Sequence, residues 1–268
     1  MDIGNENSKL KVTKLYEFIL HENSLHENAR LNLGYCFRQR GYYQHAWIQY
    51  SAILHLNPSN VRALEARTIV CLQMNHPTDA FIDLNQALRY RSSSAQLLTN
   101  RGVIQQFLCD NKNAMCDYLS AMLADPNHAF AHYNTGNIVM FHGQFPQAIS
   151  LFDRVLEINP RDEAALTNRA IAKVVLKQYD SAREDLEHAL KISPLSAHIH
   201  VNLGQLLLTM NEPYEAEKHF FKELYKFVYV IQLYINGVVM HDENKMDALQ
   251  LARKHGLIKA STKTRRRL

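Results

Sequence analysis

This chain of 268 residues is poor in the features that mark secreted, membrane and metal-binding proteins. Its four cysteines form no CxxC pair, which favours reduced thiols in an intracellular protein over a disulfide framework or a zinc site. The longest charge-free apolar stretch near the end, residues 227–240, is shorter than the roughly 18–20 residues that span a bilayer. Residues 1–7 are polar and acidic, unlike a signal peptide. We therefore expect a cytoplasmic protein with no membrane span.

Charge and catalytic motifs are scarce as well. Residues 245–268 hold eight basic side chains and one acidic one, so the rest of a chain whose net charge is +4 is nearly neutral. A neutral surface does not attract the phosphate backbone of a nucleic acid. The 14 histidines occur without HExxH, GxSxG or P-loop motifs. These absences argue against catalysis, a metal site, a cofactor and a nucleic-acid partner.

One residue type, alanine, recurs at a fixed interval of 34 residues. A period of this length is typical of stacked helix–turn–helix repeats. With alanine at position 20 of the repeat, six repeats cover 27–60, 61–94, 95–128, 129–162, 163–196 and 197–222. The alanines that define this register are Ala46, Ala80, Ala114, Ala148, Ala182 and Ala216.

Two further positions of the repeat predict how its two helices meet. Position 8 is small in every repeat, as expected where two helices approach closely, and position 24 is a large apolar residue. The residues at position 8 are Gly34, Thr68, Gly102, Gly136, Ala170 and Gly204, and those at position 24 are Tyr50, Leu84, Tyr118, Phe152, Leu186 and Phe220.

The seven prolines test this register independently. Four lie at position 32, where proline ends the second helix and starts the turn into the next repeat. The other three lie where the second helix should begin, and there the missing N–H costs nothing. No proline therefore falls inside a predicted helix. The two sets are Pro58, Pro126, Pro160 and Pro194, then Pro77, Pro146 and Pro213.

This pattern of small, bulky and proline positions resembles the tetratricopeptide repeat family. Segments 32–35, 133–137 and 156–160 are typical of that family, although its tryptophan at position 4 is absent here. The resemblance covers about residues 27–222. It implies an all-α fold, a right-handed superhelical solenoid whose first helices line a concave groove.

The ends of the chain depart from the repeat. Residues 1–26 fit a partial repeat with a second helix only, in which Val12 takes the alanine position. Residues 223–258 lose the pattern, and we expect divergent C-terminal helices that cap the last repeat. Residues 259–268 are expected to form a basic, disordered tail.

Arginine at position 7 and aspartate at position 23 occur together in three repeats and never apart. Their spacing places them on facing helices of one repeat, which predicts three structural ion pairs. The alternative is that these residues are solvated and match by chance. The predicted pairs are Arg67 with Asp83, Arg101 with Asp117, and Arg169 with Asp185.

Asparagine at position 6 predicts a peptide-binding surface in the groove, because a carboxamide can both donate to and accept from a peptide backbone. An equally open interpretation is that asparagine is a common filler at this position. The candidate ladder is Asn100, Asn134, Asn168 and Asn202, to which the fourth repeat adds Phe130, Tyr133, Asn137 and Phe141.

The predicted function is a non-catalytic scaffold that binds an extended or helical protein segment. Family members that bind the acidic C-terminus of a chaperone use lysine and arginine where this chain has Tyr133, His198 and Asn202. An acidic chaperone tail is therefore not the expected partner. The alternatives are a targeting array of a larger enzyme and an RNA-binding helical repeat. The resemblance also implies a role in cilium assembly, which neither the composition nor the spacing indicates.

Overall fold

A computed structural model describes residues 3–220, with side chains from residue 11 onward. All regular secondary structure in this range is α-helical, as predicted. The divergent segment 223–258, the basic tail 259–268 and the apolar stretch 227–240 lie outside the described residues.

Among residues 3–209 the structure has twelve helices, of which all but the first follow the 34-residue period. In every repeat the first helix has 13 residues, and in the first five repeats the second helix has 14 residues. Residues 213–220 are helical as well. The helices are α1 (Ile3–Glu22), α2 (Glu27–Gln39), α3 (Tyr43–Leu56), α4 (Val61–Gln73), α5 (Pro77–Tyr90), α6 (Ala95–Phe107), α7 (Asn111–Ala124), α8 (Ala129–Phe141), α9 (Phe145–Ile158), α10 (Glu163–Val175), α11 (Tyr179–Ile192) and α12 (Ala197–Thr209).

The chain forms two compact units, Met1–Ile158 and Asn159–Leu268. In the first, α1 packs on α2, and each later helix packs on the next one along the chain as far as α9. In the described part of the second, α10 packs on α11, and α12 contacts both. Within each unit, a helix therefore buries its apolar face against the other helix of its repeat and against the next repeat, as solenoid helices do.

The close contact between the two helices of a repeat is built from position 8 on the first helix and positions 20 and 24 on the second. All six position-20 alanines are fully buried. A Cβ added to Gly34, Gly102, Gly136 or Gly204 would lie within 2.5–2.7 Å of the aromatic ring at position 24 of the same repeat. Only glycine leaves room for an aromatic ring at this distance.

The two repeats without glycine at position 8 have a smaller partner. Thr68 and Ala170 occur in the repeats whose position 24 is Leu84 and Leu186. All four residues are buried. The pairing of glycine with an aromatic ring and of a larger residue with leucine keeps the combined volume roughly constant, as close packing requires.

Position 15, in the turn between the two helices, has a left-handed backbone in all six repeats. Gly41 and Gly143 adopt φ values of 78° and 76° there, a conformation that glycine reaches without steric cost. In the other repeats Asn75, Cys109, Lys177 and Asn211 adopt φ values of 61–63°. The packing of the two helices therefore imposes this conformation on side chains that disfavour it.

Helix α1 has a different rotation from the one that the repeat register predicts. Val12 was expected to take the buried alanine position, but it is 42% exposed, whereas Thr13 is 3% exposed. Among the described residues α1 packs on α2 alone. The side of α1 that is buried is therefore set by this one neighbour and not by a first helix of its own repeat.

We expect Gly136→Ala to lower the free energy of unfolding by about 1–3 kcal/mol, because the new methyl group would lie 2.7 Å from the Phe152 ring. The double variant Gly136→Ala/Phe152→Leu, which reproduces the pair found in the fifth repeat, should recover part of this loss. Urea denaturation followed by circular dichroism measures both. Strictly additive effects of the two substitutions would contradict the proposed contact.

Lys177→Gly should raise the free energy of unfolding by about 0.5–1 kcal/mol, because glycine adopts the left-handed conformation at position 15 without steric strain. The same denaturation experiment applies. Gly143→Lys is the matched reverse change and should be destabilising. A stable Gly143→Lys variant would show that the turn relaxes and that position 15 carries no strain.

Candidate peptide-binding face

The first helices of the first compact unit have one side packed on the second helices and the opposite side open to solvent. Position 8 faces the second helix, and positions 2, 6 and 13 lie about 120–160° around the helix from it, because successive residues of a helix are about 100° apart. We call the surface formed by positions 2, 6, 9, 12 and 13 of α2, α4, α6 and α8 the open face. Large apolar side chains are exposed on it: Tyr35, Ile69, Leu72, Val103, Phe107, Phe130 and Phe141.

The predicted carboxamides lie on first helices in both compact units. Asn100 and Asn134 belong to α6 and α8, and both are half-buried. Asn168 and Asn202 lie on α10 and α12 of the second unit. Asn100 accepts a hydrogen bond of 2.8 Å from Gln96, one turn earlier on its own helix. Each of these carboxamides stands at an equivalent point of its repeat.

The aromatic residues of the fourth repeat divide into two groups. Phe130 and Phe141 are 66% and 80% exposed, so they can contact a partner directly. Tyr133 is half-buried, and its ring lies 5.9 Å from that of Phe152. Asn137 is half-buried on the open face, whereas Tyr133 borders that face and also contributes to the packing inside the repeat.

The open face of α6 and α8 carries no charged side chain. The sequence of α8 contains none, and the one in α6, Arg101, lies on the side that faces the second helices. This part of the surface therefore offers apolar groups and carboxamides alone, a composition suited to an uncharged peptide segment.

The three predicted ion pairs are made on the opposite side of the first helices. Each arginine donates from Nε and Nη2 to the two carboxylate oxygens, over 2.7–2.9 Å and 2.5–2.6 Å respectively. The aspartate side chains are 3–7% exposed. This bidentate geometry is the strongest that arginine and a carboxylate form. The pairs are Arg67–Asp83, Arg101–Asp117 and Arg169–Asp185.

Two of these arginines also join consecutive repeats. Nη1 of Arg67 donates to Ser51 over 3.0 Å, and Nη1 of Arg101 donates to Asn85 over 2.8 Å. Both acceptors lie on the second helix of the preceding repeat. One guanidinium therefore links three helices, which fixes the angle between neighbouring repeats as well as the pair within a repeat.

Sequence reasoning missed a second polar arrangement, which the other three repeats use. There a basic residue at position 4 donates to a backbone carbonyl six residues earlier, in the turn from the preceding helix. The distances are 2.9 Å from Arg30 to Ser24, 3.0 Å from His132 to Pro126 and 3.1 Å from His200 to Pro194. The signal is present in the sequence: position 4 is leucine in each repeat that has the arginine–aspartate pair, at Leu64, Leu98 and Leu166.

Other kinds of site find little support in the described part of the chain. Between residues 11 and 220, no three histidine, cysteine, aspartate or glutamate side chains are grouped so that they could hold a metal ion. None of the described helices is both long and apolar enough to cross a bilayer.

Comparison with known proteins identifies the repeat. A family model described as tetratricopeptide repeat matches residues 164–194, which lie in the fifth repeat. Tetratricopeptide repeat protein 6 from Homo sapiens is 37% identical over 178 residues, which make up 66% of this chain and 34% of that protein. The chain belongs to the tetratricopeptide repeat family. It spans about a third of the length of this relative.

Two further similarities extend over more of the chain described here. BBSome complex member BBS4 from Bos taurus is 25% identical over 256 residues, which are 91% of this chain and 48% of that protein. The crystal structure of a tetratricopeptide repeat protein from Parabacteroides merdae superimposes with a TM-score of 0.66 at 20% identity and covers 94% of this chain and 95% of its own. The structural similarity confirms the predicted fold.

Asp117→Ala should lower the free energy of unfolding by about 2–3 kcal/mol, because it leaves the half-buried guanidinium of Arg101 without its carboxylate. Chemical denaturation of the full chain provides the measurement. Glu157→Ala, which removes an exposed ion pair with Arg154 on α9, is the control and should cost at most about 0.5 kcal/mol. Equal effects of the two substitutions would show that the buried pair has no special role.

Proposed function

We propose that this protein is a non-catalytic scaffold that binds an extended or helical segment of a partner protein along the open face of its first helices. The observation that carries the proposal is the composition of that face on α6 and α8. Exposed apolar side chains such as Phe107, Phe130 and Phe141 stand beside the carboxamides of Asn100 and Asn134, without a charged group among them.

These two kinds of side chain have complementary roles in peptide binding. The exposed rings bury apolar side chains of the partner, and aromatic residues contribute most to interface energy when they become desolvated. The carboxamides hydrogen-bond the peptide backbone, which orients the segment without selecting its side chains. Asn168 and Asn202 extend the same chemistry to the second compact unit.

The composition of the open face on α6 and α8 also narrows the class of partner. An acidic chaperone tail is disfavoured, because Tyr133, His198 and Asn202 stand where family members that bind such tails have basic residues. RNA is disfavoured because α6 and α8 offer no basic side chain on this face to contact phosphates. The best-fitting ligand is an uncharged protein segment rich in apolar side chains.

The similarity to a BBSome complex member suggests that the partner belongs to a protein assembly. We also infer that the protein is located in the cytoplasm and takes part in cilium assembly. Both are tested by identifying the partners in ciliated cells.

The double variant Asn100→Ala/Asn134→Ala should lose its principal partners. Two hydrogen bonds to a peptide backbone contribute about 1–3 kcal/mol together, so binding should weaken about tenfold or more. The full chain fused to a proximity-labelling enzyme, expressed in ciliated cells, provides the measurement as the ratio of each labelled protein between variant and wild type.

The matched control is Gln44→Ala/Gln147→Ala, which removes two exposed carboxamides from the second helices α3 and α9. This variant should label the same proteins as the wild type. If the asparagine variant also leaves the labelled set unchanged, the open face is not the binding surface and the asparagines serve the fold alone.

A further inference from the structure

A second candidate site lies on the side of the first compact unit opposite the open face. A cavity of ≈ 190 Å³ opens between α3, α4 and α5 and is several times larger than the roughly 30 Å³ that one water occupies in the liquid. We call it the Trp47 pocket. Its lining consists of Trp47, Arg67, Cys71, Asp79, Ile82 and Asp83. The proposed function does not use any of these residues.

The aromatic wall of the pocket is the indole of Trp47. The guanidinium carbon of Arg67 lies 5.8 Å from the centre of its ring. Trp47 is half-buried, so part of the ring remains accessible. Tryptophan is the side chain that cations bind most strongly through the face of the ring.

The charges around the pocket favour a cation over an anion. Arg67 and Asp83 neutralise each other through two hydrogen bonds. Cys71 is a neutral thiol at neutral pH, because burial raises its pKa to about 11. Asp79 therefore gives the lining of the pocket a net negative charge. Its carboxylate is 58% exposed and lies 3.6 Å from Nδ1 of His76, too far for a hydrogen bond.

The equivalent position between the second and third repeats lacks this charge. There the arginine–aspartate pair is the same, but asparagine replaces Asp79 and phenylalanine replaces Trp47. The corresponding residues are Phe81, Arg101, Gln105, Asn113, Cys116 and Asp117. The combination of tryptophan and a carboxylate at the rim therefore belongs to the Trp47 pocket and is not a general property of the repeat.

We propose that the Trp47 pocket binds the side chain of an arginine on a partner protein. The planar guanidinium stacks on the accessible part of the indole and donates to the carboxylate of Asp79. The exposed side chain of Ile82 contacts the methylene groups of the incoming arginine. A partner bound here leaves the open face unobstructed, so the two surfaces engage different segments.

The single tryptophan of the chain makes the test direct. In a ¹H–¹⁵N correlation spectrum of the full chain, Trp47 gives the one indole N–H signal. Titration with N-acetyl-arginine amide should move this signal to saturation, with a Kd on the order of millimolar for so small a ligand. N-acetyl-citrulline amide has almost the same shape without the charge, and its Kd should be at least about tenfold weaker.

Asp79→Asn, which reproduces the neutral rim of the following repeat, should weaken arginine binding by a similar factor. Asp180→Asn is the matched control, because it removes an exposed aspartate from the first turn of the second helix α11, far along the sequence from the pocket. It should bind like the wild type. The proposal is overturned if the arginine ligand causes no saturable shift, if citrulline binds equally well, or if Asp79→Asn binds as tightly as the wild type.

Discussion

The contact between position 8 of each first helix and position 24 of its second helix is the constraint on which the repeats depend. Where the second helix has an aromatic ring, an added Cβ on the first would approach within 2.7 Å or less, so glycine is required. Where the second helix has Leu84 or Leu186, position 8 has room for Thr68 or Ala170. This contact brings the helices so close that one residue of the turn between them has a left-handed backbone conformation in every repeat, whether or not that residue is glycine. The spacing of 34 residues then follows from two helices and two turns of fixed length.

Around this common apolar contact, each repeat has one of two polar arrangements. The second, third and fifth repeats use an arginine–aspartate pair between their helices. The first, fourth and sixth use a basic residue at position 4 that donates to a carbonyl of the preceding turn. The arginine–aspartate pairs satisfy buried carboxylates, where an unpaired group would be costly. The position-4 hydrogen bonds of Arg30 and His132 are exposed. The charged groups between the two helices therefore differ from repeat to repeat, while the open face of α6 and α8 is uncharged and available for a partner.

The parts of this structure that sequence predicts are those with local signals. Proline at fixed positions gives the helix boundaries, because it acts through the backbone next to it. Alanine and glycine at fixed positions give the contacts between helices, and the repetition permits the three ion pairs to be found within one chain. The rotation of α1 could not be predicted, since Val12 and Thr13 differ in exposure because of the neighbour they meet and not because of their own chemistry. The left-handed conformation of Cys109 and Lys177 has no local signal either, because the helices on both sides impose it. The Trp47 pocket combines residues from three helices, and no single stretch of sequence indicates it.

The central claim is that a partner protein binds along the open face. Site-specific incorporation of a photo-crosslinking phenylalanine analogue tests it most directly, with one variant at Phe141 and another at Leu123. Both side chains are highly exposed, at 80% and 85%, but Phe141 lies on the open face and Leu123 lies on the second helix α7. If the partner binds along the open face, the analogue at position 141 forms a covalent adduct with the principal partner and the analogue at position 123 does not. Adducts with that partner from position 123 alone would contradict it.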